Sequence, residues 1–204
     1  MQGTLARLLP SSVPAVLIAS VVLVSLAGWL YQPMQRALIL QPYRVKQGQV
    51  HRLLTAGWVH ADVSHLAFNM FTLYIFAGRA VQGLGATRFL VLYISAVVVA
   101  FIPTTLRYLQ KPGYGSLGAS GAVAAVMFSA ILLHPKLELQ LLFIPIPIPG
   151  ILFALAYLAY SAWHSRGAGD DINHDAHFSG AAYGAIITYL FEPARVERTL
   201  KQLF

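Results

Sequence analysis

The chain has 204 residues, of which 57% are apolar and only 10% are charged. A soluble domain carries roughly 25% charged residues, so this composition excludes an ordinary soluble protein and predicts an integral membrane protein. The formal net charge of +7 is spread over the connections between apolar segments, which favours contact with the headgroups of a lipid bilayer and argues against nucleic-acid binding.

Six predominantly apolar segments, separated by charged or Pro/Gly-rich connections, are predicted to span the membrane. They are residues 12–31, 63–80, 88–108, 117–134, 149–164 and 175–191. A backbone exposed to lipid must satisfy its own hydrogen bonds, so each span should be an α-helix. The chain length leaves no room for a second domain. We therefore expect an all-α membrane protein with a single domain over residues 1–204.

The connections between these spans differ in character. Residues 32–62 mix basic and apolar side chains with Trp58, which is typical of a structured loop lying partly in the membrane interface. The Ile-Pro alternation at 144–149 cannot sustain a helix and predicts an extended approach to the fifth span. Residues 164–175 are polar, contain two glycines and are expected to be mobile.

The most polar residues of the spans lie in the first turns of the second, fourth and sixth spans. These residues are His65 and Asn69, then Ser120, then His177. Consecutive spans alternate in direction, so these three helices begin at the same face of the membrane. His65 and Asn69 are four residues apart and share one helical face. The pattern predicts that the four side chains meet.

Ser120 lies between small residues, beside the first backbone N–H groups of a helix, which have no intrahelical partners and can hold an oxyanion. Gly180 and Gly184 follow His177 at a spacing that permits close helix approach. If their partner is the fourth span, the imidazole reaches Ser120, which needs such a base to act as a nucleophile. The alternative is that these small and polar residues only pack helices together.

Three motifs together resemble the rhomboid family of intramembrane serine proteases in its basic six-helix form. They are HxxxN at His65 and Asn69, GxSG at residues 118–121, and HxxGxxxG beginning at His177. The resemblance implies a six-transmembrane-helix rhomboid-like bundle. It also implies a catalytic dyad of Ser120 and His177, with an oxyanion hole formed by the Ser120 backbone N–H and the side chains of His65 and Asn69.

The resemblance further implies the function of an intramembrane serine endopeptidase that cleaves transmembrane segments of membrane proteins. Such an enzyme needs no cofactor and no metal, and its partners are transmembrane protein substrates and the lipid bilayer. Phe68 matches a position that lines the family's substrate entry. Arg52 matches the Arg of a Trp-Arg pair in the family's membrane-inserted first loop, and residues 164–175 resemble its cap over the active site. We expect an integral multi-pass protein of a bacterial inner (plasma) membrane.

One departure from the family pattern keeps other functions open. Ala124 stands where many members have a Tyr that stacks on the catalytic histidine, so something else must orient His177. A catalytically inactive rhomboid-like protein that binds membrane clients is one alternative. A metal enzyme using His60, His65 and His177 is another, although the chain has no HExxH and no Cys. A transporter would show broken helices in matching halves.

Asp175 should point to a different helical face from His177, as a helix-start residue favoured by the dipole.

Overall fold

The computed structural model describes residues 2–139, 146–164 and 173–203, and most of them are helical. The helices are α1 (Gln2–Leu30), α2 (Gln32–Leu38), α3 (Pro42–Lys46), α4 (Arg52–Thr55), α5 (Val63–Leu84), α6 (Ala86–Tyr108), α7 (Ser120–Leu133), α8 (Gly150–His164), α9 (His174–Phe191) and α10 (Pro193–Leu203). A 3-10 turn, Ala56–Trp58, follows α4. Two short strands, β1 (Glu138–Leu139) and β2 (Ile148–Pro149), form an antiparallel pair.

Helices occur at all six positions where spans are predicted, namely α1 and α5 to α9. Among the described residues, two helical segments are both long and apolar enough to cross a membrane, Ser12–Leu30 and Ala86–Tyr108. The helical segments Ser120–Leu133 and Gly150–Tyr160 are apolar but shorter. The mostly helical fold is therefore confirmed, whereas a bundle of six membrane spans stays a prediction.

Helix α7, which corresponds to the fourth predicted span, begins at Ser120, three residues later than predicted. Gly118 has a φ of +113°, a left-handed conformation that L side chains rarely adopt and that no helix contains. Its N–H donates to the Ala56 carbonyl at 2.9 Å, and Leu40 and Ser116 form a β-bridge just before it. The chain therefore reaches Ser120 as a loop pinned to the preceding segment, and Ser120 is the first residue of α7.

The β1–β2 pair lies between α7 and α8, and its β2 strand falls in the Ile-Pro run that is predicted to be extended. Glu138 pairs with Pro149 and Leu139 with Ile148, because the extended backbone imposed by the prolines can form a ladder with the chain leaving α7. Residues 140–145, which include part of the predicted Ile-Pro run, lie outside the described residues. So do residues 165–172, which make up most of the predicted mobile cap.

The core is built around α7, nearly all of which is buried between α5, α6 and α9. The α9 helix approaches it closely because two of its contact residues are glycines. A Cβ at Gly180 would collide with the backbone of Gly121, and a Cβ at Gly184 would collide with the backbone of Ala125. The predicted packing of this GxxxG face against the helix of Ser120 is therefore confirmed.

We predict that Gly184→Ala lowers the stability of the protein, because the added methyl group meets backbone of α7 that cannot rotate aside. Overpacking of this kind destabilises by about 1–3 kcal/mol. Thermal unfolding in detergent measures the loss. Gly78→Ala on α5 is the matched control, since its Cβ meets nothing within 4 Å and alanine favours a helix by about 1 kcal/mol over glycine. A wild-type Tm for Gly184→Ala would contradict the close contact.

Candidate active site

The packing of α7 against α9 brings Ser120 and His177 together. Ser120 Oγ lies 2.7 Å from His177 Nε2. Both residues are half-buried, so the pair is held by the fold and still accessible. With an unprotonated Nε2, the serine hydroxyl donates to the imidazole, which is the contact between a nucleophile and its general base.

Asp175 turns away from this pair. It lies in the first turn of α9, and its carboxylate forms an ion pair of 2.7 Å with Arg107 on α6. The prediction that Asp175 points to a different face from His177 is confirmed. Its negative charge suits the N-terminal end of a helix, and the ion pair with Arg107 adds a tie between α9 and α6 that the sequence did not indicate.

The His65 ring packs against the loop that precedes Ser120. A Cβ on Gly118 would lie only 2.7 Å from His65 Nε2, so the imidazole fills the space that any side chain would need there. Asn69 is buried one turn further along α5, and its amide donates to the His65 carbonyl at 2.9 Å. The structure thus brings His65 to the Ser120 loop, while the described hydrogen bond of Asn69 stays within α5.

Phe68 lies on the outer face of α5 with 73% of its surface exposed. It is not part of the core, and its ring is free to contact whatever surrounds the helix. Its role at a substrate entry stays a prediction.

His60 contacts Ala119, the residue directly before Ser120. It is fully buried, and its Nε2 accepts the Ala119 N–H at 3.3 Å. The proton of the neutral ring is therefore on Nδ1, which donates to Ser25 Oγ at 3.0 Å, and the Ser25 hydroxyl in turn donates to the Trp58 carbonyl at 3.0 Å. This chain of hydrogen bonds ties α1 to the Ser120 loop, and it leaves the Ala119 N–H unavailable to a substrate.

These contacts weaken the metal-enzyme alternative. Both ring nitrogens of His60 are engaged in hydrogen bonds, so this histidine is not available as a ligand. Its ring lies edge-on to that of His65, with the centroids 5.0 Å apart. Within the three described ranges, no three His, Asp or Glu side chains are grouped so that they could hold a metal ion.

Asn173 joins three elements beside the site. Its Oδ1 caps α9 by accepting the Ala176 N–H at 3.0 Å, and it also accepts the Thr104 hydroxyl of α6 at 2.8 Å. Its amide donates to Ser116 Oγ at 2.9 Å, four residues before Ser120. The start of the helix that holds His177 is therefore fixed to the loop that precedes Ser120.

Arg52 organises the first loop. Its side chain is buried and donates to the carbonyls of Arg36 at 3.0 Å and Ile39 at 2.7 Å, and to Gln49 Oε1 at 2.7 Å. Burial lowers the pKa of this guanidinium, followed by the repulsion of Arg44. The expected structured loop is confirmed, and the Arg52 side chain ties α4 to the end of α2 within it.

Sequence reasoning missed several of these contacts. Asn173 directly precedes a helix and is a favoured N-cap residue, so its capping role was detectable. No local signal pairs Ser25 with His60. Nor does any local signal place Tyr157 of α8 against His177, where the two rings stack with centroids 6.2 Å apart.

A family model described as the Rhomboid domain matches residues 47–194. The chain is 30% identical over 156 residues to RHOMBOID-like protein 12, mitochondrial, of Arabidopsis thaliana. It is 28% identical over 148 residues to Presenilin-associated rhomboid-like protein, mitochondrial, of Homo sapiens, and 28% identical over 160 residues to Rhomboid protein 1, mitochondrial, of Saccharomyces cerevisiae. These matches cover 69%, 67% and 74% of this chain, but only 46%, 37% and 44% of the relatives. The chain thus spans less than half the length of these relatives.

The family model covers most of the chain, so the protein belongs to the rhomboid family and that prediction is confirmed.

The expectation of a bacterial inner (plasma) membrane is contradicted. The relatives that the chain matches are mitochondrial proteins of a plant, an animal and a yeast. The sequence motifs that indicate the family are set by the fold and the site, and they do not contain information on the compartment.

We predict that the protein becomes less stable as pH falls below about 6.5, the ordinary pKa of histidine, because of His60. Burial, followed by the nearby His65, lowers the pKa of His60 to about 3. Between these two values the unfolded chain binds a proton that the folded chain does not. The contribution of His60 to stability is therefore complete above pH ~6.5 and is lost as the pH falls towards about 3.

Thermal unfolding in detergent over this pH range provides the measurement. His60→Gln should flatten the decrease of Tm with acid, because it removes the titrating ring. The exposed His51, replaced by Gln, is the control and should leave the slope unchanged. A slope for His60→Gln equal to that of the wild type would contradict the assignment.

Proposed function

We propose that this chain is an intramembrane serine endopeptidase that cleaves transmembrane segments of membrane proteins through a dyad of Ser120 and His177. The observation that supports it most directly is the 2.7 Å separation of Ser120 Oγ and His177 Nε2 at the N-terminal ends of two packed helices. Membership of the rhomboid family adds support, since the resemblance of the motifs implies a dyad of the same two residues.

In the proposed mechanism, Ser120 Oγ attacks the carbonyl carbon of the scissile peptide bond while His177 Nε2 accepts the hydroxyl proton. The tetrahedral intermediate collapses as His177 gives that proton to the leaving amine, and an acyl group remains on Ser120. A water molecule, deprotonated by His177, then attacks the acyl carbon. The second tetrahedral intermediate collapses as His177 returns its proton to Ser120 Oγ, which releases the new carboxyl terminus and restores the serine.

The negative charge of the tetrahedral intermediate needs hydrogen-bond donors. The Ser120 N–H belongs to the first residue of α7, so it has no partner within the helix. The Ala119 N–H is taken by His60. We propose the His65 imidazole and the Asn69 amide as the side-chain donors, since the amide has a second N–H besides the one donated to the His65 carbonyl.

The proposal extends to the membrane setting. We propose that α1 and α5 to α9 span the bilayer as a single domain over residues 1–204, and that the membrane is mitochondrial, as the names of the relatives indicate. Helices α5, α7 and α9 begin on the same face, so the site would lie near one membrane surface, where water can reach it. Phe68 would contact a substrate helix arriving from the lipid.

We predict that a fluorophosphonate labels Ser120 in the folded protein, because a positioned base makes a serine more nucleophilic. Ser120→Ala and His177→Ala should each abolish both labelling and cleavage of a model transmembrane substrate. Ser129→Ala is the matched control on α7, since its buried hydroxyl has no hydrogen-bond partner among the described residues, and it should keep both. Mass spectrometry of the labelled peptide and a gel-based cleavage assay are the measurements.

The same experiment separates the alternatives. An inactive rhomboid-like protein would be folded, would remain unlabelled and would leave the substrate intact. A metal enzyme would cleave substrate despite the reagent and stop when a chelator is added. Either result would exclude the serine-protease proposal.

A second prediction concerns the oxyanion donors. Removing one such donor lowers kcat by about 10²–10³-fold, so Asn69→Ala and His65→Ala should each lose activity in kcat rather than in KM. Steady-state kinetics on a transmembrane substrate measure the two constants. Asn69→Ala with an unchanged kcat and a raised KM would reassign Asn69 to substrate binding.

A further inference from the structure

The environment of the His177 ring is aromatic. Tyr157 of α8 lies parallel to it, with centroids 6.2 Å apart and planes 25° apart. His174, one turn earlier on α9, meets it edge-on at 5.9 Å. Both separations are within the range in which aromatic rings attract one another. Besides its hydrogen bond to Ser120, the imidazole therefore stacks on the Tyr157 ring and makes an edge contact with the His174 ring.

Tyr157 is itself held against α7. Its ring contacts Phe128 at a centroid distance of 6.1 Å and Phe153 of its own helix at 6.4 Å. Ser120, Ala124 and Phe128 are spaced four residues apart and therefore lie along one face of α7. Tyr157 therefore lies near both Phe128 and the histidine bound to Ser120, the residues at the two ends of the face of α7 that includes Ala124.

We propose that Tyr157 is the positioning residue that orients His177, in place of the tyrosine that many family members have at the position of Ala124. The inference rests on the proposed function of the dyad. The hydrogen bond to Ser120 holds one ring atom, and a fixed orientation also requires that rotation of the imidazole about that contact be restricted. A stacked ring restricts this rotation, and it keeps Nε2 directed at Oγ and then at the leaving amine. Misplacement of a reacting group by about 1 Å can lower a rate about 10²-fold.

The test compares Tyr157→Leu, Tyr157→Phe and Phe153→Leu. Tyr157→Leu should lower kcat by about 10- to 100-fold with KM little changed, because orientation and not binding is lost. It should slow fluorophosphonate labelling of Ser120 in the same proportion. Tyr157→Phe keeps the ring and should retain most of the activity. Phe153→Leu removes a different aromatic ring of α8, one that contacts Tyr157 and not His177 in the described ring pairs. This variant should also retain most of the activity.

A swap provides a rescue experiment. Tyr157→Ala combined with Ala124→Tyr returns the ring to α7 and should recover kcat relative to Tyr157→Ala alone. Full kcat in Tyr157→Leu, an equal loss in Phe153→Leu, or a loss in Tyr157→Phe as large as in Tyr157→Leu would each overturn the proposal. If Tyr157→Leu does not fold, Tyr157→Met fills the space without a flat ring and takes its place.

NMR of the histidine rings tests the contact without activity. The ring protons of His177, identified by their absence in His177→Ala, should be shifted by the Tyr157 ring current in the wild type. The shift should persist in Tyr157→Phe and vanish in Tyr157→Leu. A wild type that shows this shift but neither labelling nor cleavage would exclude the proposed function and leave the stacking intact. An active wild type with no such shift would exclude only the role of Tyr157.

Discussion

The close approach of α9 to α7 is the constraint on which the site depends. Gly180 and Gly184 lack the side chains that would hold the two backbones apart, and the residues they meet are Gly121 and Ala125. A hydrogen bond between Oγ and Nε2 tolerates only a few tenths of an ångström, whereas one methyl group in this contact would push the helices further than that. The separation of Ser120 and His177 therefore depends on the missing side chains of Gly180 and Gly184, which lie one and two turns after His177 on α9.

The direction of the serine and of its backbone N–H is set by a different part of the chain. The loop before Ser120 is bonded to Leu40, Ala56 and His60, none of which takes part in the proposed chemistry. Of these residues, His60 is anchored to α1 through Ser25 and through Trp29, whose indole donates to the His60 carbonyl at 2.8 Å. Because buried backbone groups must find partners, the N-terminal third of the chain acts as a frame that presents the start of α7.

Helix positions were predictable because apolar length alone indicates them. The contact of Ser120 with His177 was predictable because three motifs lie in the first turns of helices with the same direction. The start of α7 was not, since the positive φ of Gly118 depends on bonds to residues far away in sequence. His60 illustrates the same limit. In the sequence it is a possible metal ligand together with His65 and His177, and only the tertiary contacts show that both of its nitrogens are occupied. Whether all six helices span the membrane is not decided by the pattern, because α7 and α8 contain short apolar segments.

If Tyr157 orients His177, that orientation depends on how firmly α8 is held against the rest of the fold. A tyrosine at the position of Ala124 would be rigidly attached to the helix of the nucleophile. A tyrosine on α8 is rigid only if α8 itself is fixed against α7. The β1–β2 pair supplies one such tie, because Gly150, the first residue of α8, donates its N–H to the carbonyl of Leu137 just beyond α7 at 2.7 Å. The contact with Phe128 supplies a second, two turns further along. Under the proposed role of Tyr157, His177 is oriented by three helices together, and any displacement of α8 from α7 would move the ring that stacks on it.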